Sequence, residues 1–394
     1  MDAALSEGAE DPDTYKKHHK HPMDPEVSVM LHCAPSQGLE EHQIRAEIST
    51  RFNRRSSPEI EKHIEAVWND RVTKEPWLFN GAKFRLHSAE LSTSIPSTSM
   101  NCVAGDEALQ ALNSDIFDSE NQLEGCRAEE SSPAPVITSE NTNCERNSCC
   151  KVTTEEPQKG TSAASRRNAS KHQALLSLQL GLTCYKDFLG TNWSQEALNL
   201  QKRGDVEVGD PQAFLAQPLG VGAVMVTSDG QVVMLRRSQK VAEAAGLIDI
   251  PGGHPEPKAV CQGVSEEAIS VDLMQDSERA VISEIFSSVC AEIRDEVNVP
   301  LSFLSAPVLM GIALNHTSAG RPSAEFYIRC SLTMEEVKDF YWRGGPEAHE
   351  STDIVFVNRE EMQQLDESAS LWSELCPSAK GAVLLYRLVR PDGV

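Results

Sequence analysis

The sequence predicts an α/β fold in which helices cover both faces of a mixed β-sheet, with a small α+β domain at the N-terminus. In the C-terminal half, short apolar runs of strand length alternate with segments whose apolar residues have helical spacing. This alternation is typical of a sheet packed between two helical layers. Nearer the N-terminus, a helical pattern from Glu59 and two strand patterns indicate a second, smaller unit.

The strands of the large sheet are predicted to begin after Gly220. Apolar residues on both sides of Asp229-Gly230 predict a hairpin, so that Gly220-Val221-Gly222 falls inside a strand and not in a dinucleotide-binding loop. Thr333 and Glu336 predict a capping box, and Ser378 is expected to cap the helix that runs through Leu385. Further strands are expected at residues 247–250, 308–313, 326–330 and 354–357.

A long polar segment separates the two strand patterns of the small domain, which contain Phe84 and Leu86 in the first and the leucines of residues 176–182 in the second. Residues 93–171 are rich in Ser, Thr, Asn and Glu, with Phe117 as their only aromatic residue. Such a segment buries too little apolar surface to offset the entropy of ordering it, which predicts a disordered insert. The predicted division is a disordered leader at 1–22, the small domain at 23–91 and 172–215, the insert at 93–171 and the large domain at 216–394.

The charge and the apolar pattern exclude several classes of partner. With 59 acidic and 36 basic residues the formal charge is −23, and a field of that sign repels nucleic acid. No apolar run has the length of a membrane span or a signal peptide, so we expect a soluble intracellular protein, in the cytoplasm or the nucleus, with no membrane partner. The 11 cysteines lack zinc-site spacing. Nothing in the sequence identifies a protein partner.

A long helix with an acidic end is predicted between Ser277 and Val297. Its buried stripe recurs every four residues, at Val281, Ile285, Val289 and Ile293. Glu292, Asp295 and Glu296 lie on another face, within roughly 5–6 Å of one another at the Cβ atoms.

Three like charges near the negative end of a helix dipole repel one another, and a hard divalent cation such as Mg2+ or Mn2+ offsets that repulsion. The helix alone leaves a solvated acidic face as the alternative.

The order of these features resembles the Nudix family. Gly252-Gly253 precedes a long loop and the helix that contains Glu292, Asp295 and Glu296, as in the Nudix box Gly-x5-Glu-x7-Arg-Glu-U-x-Glu-Glu-x-Gly-U, in which U is apolar. Ala291, Asp295 and Asn298 replace an Arg, a Glu and a Gly of that pattern, and an extra loop precedes Glu292. Glu284 falls one position away from the first Glu of the box, so its role is not transferred.

Other segments resemble Nudix hydrolases that act on uridine diphosphate sugars, and the similarity covers residues 23–91 and 172–394. The matching segments are residues 76–79, 84–88, 185–193, 250–257, 284–289, 344–352 and 375–381. The resemblance implies a Nudix α/β/α sandwich that hydrolyses UDP-glucose or UDP-galactose to UMP and a hexose 1-phosphate.

The resemblance also implies roles for individual residues. Glu292 and Glu296 are the expected Mg2+ ligands, with Asp295 in support, and the metal would activate a water. Glu256, Glu350 and Glu292 remain open as the general base.

Substrate-binding roles follow from position and chemical type. The expected partners are Arg237 for a phosphate, Asp249, His254 and Glu256 for sugar hydroxyls or ordered water, Phe79 and Tyr185 for uracil, and Ser378 for a ligand oxygen. A Nudix-fold module that binds a nucleotide sugar without cleaving it is the alternative, and the missing Arg of the box at Ala291 favours it.

Overall fold

A computed structural model describes residues 24–93, 174–241 and 243–393. The predicted leader, and the predicted insert beyond Thr93, lie outside these residues. None of the described helices is long and apolar enough to cross a membrane. The strands are β1 Val27–His32, β2 Ile44–Ile48, β3 Ala82–Thr93, β4 Ala174–Cys184, β5 Gly220–Val226, β6 Gln231–Arg237, β7 Ile248–Asp249, β8 Gly252–Gly253, β9 Val308–Asn315, β10 Arg321–Arg329 and β11 Ser351–Asn358. The α-helices are α1 Pro58–Lys74, α2 Tyr185–Gly190, α3 Ala197–Val208, α4 Pro257–Val260, α5 Glu278–Glu292, α6 Met334–Trp342, α7 Arg359–Gln364 and α8 Pro377–Val389.

The large sheet has the strand order β1-β9-β10-β5-β6-β11, with β7 paired to β6 and β8 paired to β5. It is mixed, because β10 and β5 run parallel while the other pairs are antiparallel. All seven residues of β5 are buried, since α5 contributes to the core on one face of the sheet and α8 to the core on the other. The predicted α/β/α sandwich is therefore confirmed.

The second sheet contains β2, β4 and β3, and its β3-β4 pair confirms the two strands predicted on either side of the polar segment. Thr93, assigned to the insert from the sequence, is instead the last residue of β3 and pairs with Ala174. β1 is a six-residue strand that pairs with β9 at the edge of the large sheet. The sequence pattern did not reveal this strand, and the division into two domains stays a prediction.

The predicted helix ends are correct at Thr333 and wrong at Ser378. Thr333 and Glu336 form the expected capping box. Helix α8 begins two residues earlier than expected, because Pro377 is its first residue and Cys376, not Ser378, is the N-cap residue. The Ser378 hydroxyl is therefore free of the capping role and donates to Asp249 Oδ1 at 2.9 Å.

Arg85 connects the second sheet to the segment that leads into β5. Its side chain is 1% exposed and donates to the carbonyl oxygens of Phe52, Gln212 and Leu215 at 2.8, 2.8 and 3.1 Å. Burial lowers the pKa of Arg85 to about 10. These bonds fix the chain immediately before Gly220, where the functional strands of the large sheet begin.

Replacing Arg85 by Met should lower the free energy of unfolding by about 3 kcal/mol or more, because three buried carbonyl oxygens lose their donor and each unpaired group costs ~1–3 kcal/mol. Urea unfolding measures the change. Arg279→Met, at an exposed position, is the control and should stay within about 0.5 kcal/mol of the parent. A loss below about 1 kcal/mol for Arg85→Met would contradict the structural role of this side chain.

Replacing residues 94–173 by a Gly/Ser loop of about four residues should leave the melting temperature and turnover nearly unchanged. Thr93 and Ala174 are already paired, so a short hairpin loop can join β3 to β4. Thermal unfolding and activity assays of the shortened chain test this expectation. A large loss in either quantity would show that the removed segment contributes to the folded protein.

Candidate active site

The site begins at Gly252 and Gly253, which pair with Gly222 and Val221 of β5 as strand β8. A Cβ atom on Gly252 would collide with the carbonyl oxygen of Val221, and one on Gly253 would collide with the carboxylate of Glu292. Glycine at 252 therefore permits the close pairing with β5, and glycine at 253 leaves the space that the Glu292 carboxylate occupies.

Glu292 and Glu296 both face this glycine strand. Glu296 is 8% exposed, and its Oε2 accepts the Gly252 N–H at 2.9 Å. Burial raises the pKa of Glu296 well above its usual range, and the charges of Glu292, Asp249 and Glu350 raise it further, while the Gly252 N–H opposes the shift. Burial, with Glu347 and Glu350, raises the pKa of Glu292 to about 7. Two carboxyl groups thus sit where negative charge is unfavourable.

The Asp295 carboxylate faces Arg294 and not the glycine strand. Its oxygens accept from Arg294 Nε and Nη2 at 2.7 and 2.5 Å. The helix changes from α to π geometry over Ile293–Val297. A π turn contains more residues than an α turn, so the fourth residue after Glu292 stays on its face while the third rotates away. This geometry explains why Glu296 reaches the glycine strand and Asp295 does not.

Two adjoining cavities open beside the glycine strand. The first, of about 440 Å³, lies along β5 and the start of α8, and its lining includes Asp249, Ser323 and Ser378. The second, of about 780 Å³, is lined in part by Lys83, Tyr185 and other aromatic residues. The two cavities share Arg237, Glu243, His254, Arg321 and Glu350. These shared side chains mark the junction of one continuous cleft.

Arg237, Asp249 and Ser378 form one hydrogen-bonded chain in the first cavity. Arg237 Nη1 lies 3.0 Å from Asp249 Oδ2, and the Ser378 hydroxyl donates to Asp249 Oδ1 at 2.9 Å. The neighbouring Arg236 reaches Glu374 on the other side of the strand, as strand alternation predicts. The structure therefore brings three of the sequence-predicted substrate residues together.

His254 and Glu256 flank the cleft in different environments. Burial and the cations Arg321 and Lys83 hold the pKa of His254 well below its usual range. Glu256 is exposed, pairs with Lys83 at 2.9 Å, and donates its backbone N–H to Glu284 Oε1 at 2.9 Å. Glu256 therefore lies at the rim, with its charge already matched by Lys83.

The two aromatic residues expected at uracil differ in position. Tyr185 lines the second cavity together with Phe188 and Trp193. Phe79 is 62% exposed and lines none of the cavities described here. Of the two, only Tyr185 lies in the cleft of the described structure.

Several residues of the cleft gave no signal in the sequence. Lys83 lies on β3, while Arg321 and Glu325 lie on β10, and no local sequence pattern relates these strands to the acidic helix. Glu325 is 0% exposed on β10, neither of its carboxyl oxygens has a hydrogen bond of ordinary geometry, and burial raises its pKa to about 8. The Glu325 carboxyl group is therefore mostly neutral at pH 7, and it lines the first cavity.

The donor set fits a divalent cation that retains much of its water. Within the described ranges, no three His, Cys, Asp or Glu side chains form a complete ligand cage. Glu292 and Glu296 nevertheless converge on Gly252 and Gly253, with Glu347 and Glu350 adding negative charge. In proteins generally, Mg2+ is held by one or two carboxylates, several waters and substrate phosphates, and these residues fit that pattern.

Comparison with known proteins identifies the family. No family model matches the sequence. The uridine diphosphate glucose pyrophosphatase of Bos taurus is 45% identical over 93% of this chain and 99% of its own length. The human protein of the same name is 44% identical over 93% and 94% of the two chains. Nudix hydrolase 9 of Arabidopsis thaliana is 34% identical over 54% and 65%.

This chain belongs to the Nudix hydrolase family. Among solved structures, the MutT protein of Methanosarcina mazei matches 44% of this chain and 92% of its own, with 15% identity and a TM-score of 0.24, a similarity too low to support a conclusion.

The departures of this Nudix hydrolase from the family box have local explanations. Asn298, in place of Gly, adopts the left-handed conformation with φ 64° and donates its side-chain N–H to the Phe340 carbonyl at 2.9 Å. The extra loop before α5 is anchored by Val271 and Met274, which are 3% and 0% exposed. The insertion therefore packs onto the core and leaves the acidic end of the helix in place.

Glu296→Gln should stabilise the metal-free Nudix hydrolase at alkaline pH. Because the folded-state pKa of Glu296 is raised, ionisation destabilises the fold increasingly as pH rises above about 4.5. Gln removes that penalty and still accepts the Gly252 N–H. In EDTA at pH 8 the variant should gain at least ~0.5 kcal/mol, and the gain should vanish near pH 4.

Urea unfolding at the two pH values measures this difference. Mg2+ at about ten times its dissociation constant should add ~1.4 kcal/mol to the parent and little to the variant. If Mg2+ raised the free energy of unfolding equally in the parent and in Glu296→Gln, Glu296 would not be a metal ligand.

Proposed function

We propose that this Nudix hydrolase cleaves UDP-glucose, and also UDP-galactose, to UMP and the hexose 1-phosphate in a Mg2+-dependent reaction. The observation that carries the proposal is the position of Glu292 and Glu296 beside a cleft that contains Arg237, Arg321 and Lys83. Similarity to uridine diphosphate glucose pyrophosphatases over more than nine-tenths of the chain supports the same substrate.

The proposed roles divide between the two sides of the cleft. Glu292 and Glu296 hold the cation, which when bound neutralises the diphosphate and lowers the pKa of an attacking water. Asp295, paired with Arg294, contributes to the local charge without facing the glycine strand. Glu350, Glu292 and Glu256 remain candidates for the base, and Glu256 acts from the rim.

The substrate is held by groups with matching chemistry. Arg237 carries hydrogen-bond donors for a phosphate oxygen, while Asp249, Ser378 and His254 offer hydrogen bonds to hydroxyl groups or ordered water. Tyr185 provides an aromatic surface for uracil. Phe79, which lies outside the cavities, is proposed only to border the uracil ring.

The competing function is a Nudix-fold module that binds a nucleotide sugar without cleavage. The replacement of the box Arg by Ala291 favours it. Against it, a protein that only binds would gain stability by discarding the repelling carboxylates Glu292 and Glu296.

UDP-glucose should be converted to UMP and glucose 1-phosphate with Mg2+ and remain intact in EDTA. Glu296→Gln should lower kcat by at least about 100-fold, since it removes a ligand charge. Asp295→Asn is the matched control on the next position of the helix and should lower kcat less than about tenfold, because Arg294 holds that carboxylate away from the cleft.

Chromatography of the products measures turnover by the parent, Glu296→Gln and Asp295→Asn, each with Mg2+ and in EDTA. Saturable binding of UDP-glucose with no product between pH 6 and 9 would favour the binding module. Full activity of Glu296→Gln would contradict the assignment of the site.

A further inference from the structure

Arg237 and Arg321 meet the same acidic residue at the junction of the two cavities. Arg321 Nη2 lies 3.1 Å from Glu243 Oε2, and Arg237 Nε donates to the Glu243 carbonyl oxygen at 3.2 Å. All three residues line both cavities. Glu243 thus supplies one carboxylate oxygen and one carbonyl oxygen to two arginines at the junction of the cavities.

Arg321 is held in a defined orientation by its surroundings. Its guanidinium carbon lies 5.6 Å from the centre of the Phe188 ring, and its Nη1 lies 3.3 Å from His254 Nε2. A guanidinium group carries only hydrogen-bond donors, so His254 Nε2 is the acceptor of this Arg321 N–H. A guanidinium fixed on two sides in this way is preorganised for an anion.

We propose that Arg321 binds the diphosphate of the substrate together with Arg237, and that Glu243 occupies this position in the free protein. The inference extends the proposed function by naming a second phosphate-binding residue and an internal competitor. The ligand class is a nucleoside diphosphate, whose two phosphates can engage two guanidinium groups with charge-assisted hydrogen bonds. The Glu243 side chain must give up its ion pair for the phosphate to take its place.

The charges of the chain support this assignment over a purely structural ion pair. The protein carries a formal charge of −23, so a polyphosphate needs locally concentrated positive charge to enter the cleft. Arg321 and Glu243 retain side-chain exposures of 15% and 26%, which leaves both accessible to a ligand. Because the substrate must first break the ion pair between Arg321 and Glu243, its affinity is lowered by the free energy of that pair.

Opposite effects of two substitutions test the proposal. Arg321→Met keeps the aliphatic stem over Phe188 and should raise the dissociation constant for UDP at least tenfold, while leaving that for uridine unchanged. Glu243→Gln removes the competing charge and should lower the dissociation constant for UDP about threefold or more. In the double variant, Glu243→Gln should give no such gain, because the arginine it competes for is absent.

Calorimetry with UDP, inorganic pyrophosphate and uridine measures these constants without requiring turnover, so the result stands apart from whether UDP-glucose is cleaved. Arg236→Met is the matched control, because Arg236 pairs with Glu374 outside the cleft and should leave UDP affinity unchanged. Melting temperatures establish that each variant is folded, and Arg321→Lys provides a second cationic variant. Equal weakening of UDP and uridine by Arg321→Met, or weaker UDP binding by Glu243→Gln, would overturn the proposal.

Discussion

The site depends on the close approach of two carboxylates, Glu292 and Glu296, to the backbone of Gly252 and Gly253. A side chain at position 253 would displace the Glu292 carboxylate from its position, and one at position 252 would collide with the β5 backbone. Burial and neighbouring acids raise the pKa of both glutamates, so the arrangement is unfavourable without a cation or bound protons. The same repulsion makes this point of the chain attractive to Mg2+ once the carboxylates are ionised.

The large sheet places these two carboxylates beside a cleft that also contains positively charged side chains. Strand β8 is held on β5, whose start is fixed by the hydrogen bonds of Arg85. Arg237 at the end of β6 and Arg321 at the start of β10 reach the junction of the cavities. Carboxylates at the glycine strand and guanidinium groups at the junction together suit a substrate that carries phosphates and needs a cation.

The sequence was most informative where the physical signal is local. The four-residue period of α5 and the alternation in β3 and β4 arise from burial of one face, so the fold class and the acidic helix could be predicted. The orientation of Asp295 could not, because the π turn that rotates it leaves no mark in the apolar spacing. Lys83, Arg321 and Glu325 join the cleft only through strand pairing over long sequence separations. The N-cap expected at Ser378 was wrong because Pro377 already begins the helix.

The most direct test of the metal site is the release of protons when Mg2+ binds, measured by calorimetry at pH 6 in buffers of different ionisation enthalpy. The pKa of Glu292 is about 7, so this carboxyl is mostly protonated at pH 6 and must lose its proton to bind the cation. We expect release of at least about one proton per Mg2+ at pH 6, declining as pH rises past 8, and a smaller release in Glu292→Gln, in which only Glu296 can still lose a proton. Saturable Mg2+ binding without proton release at pH 6, or unchanged release in Glu292→Gln, would contradict the assignment.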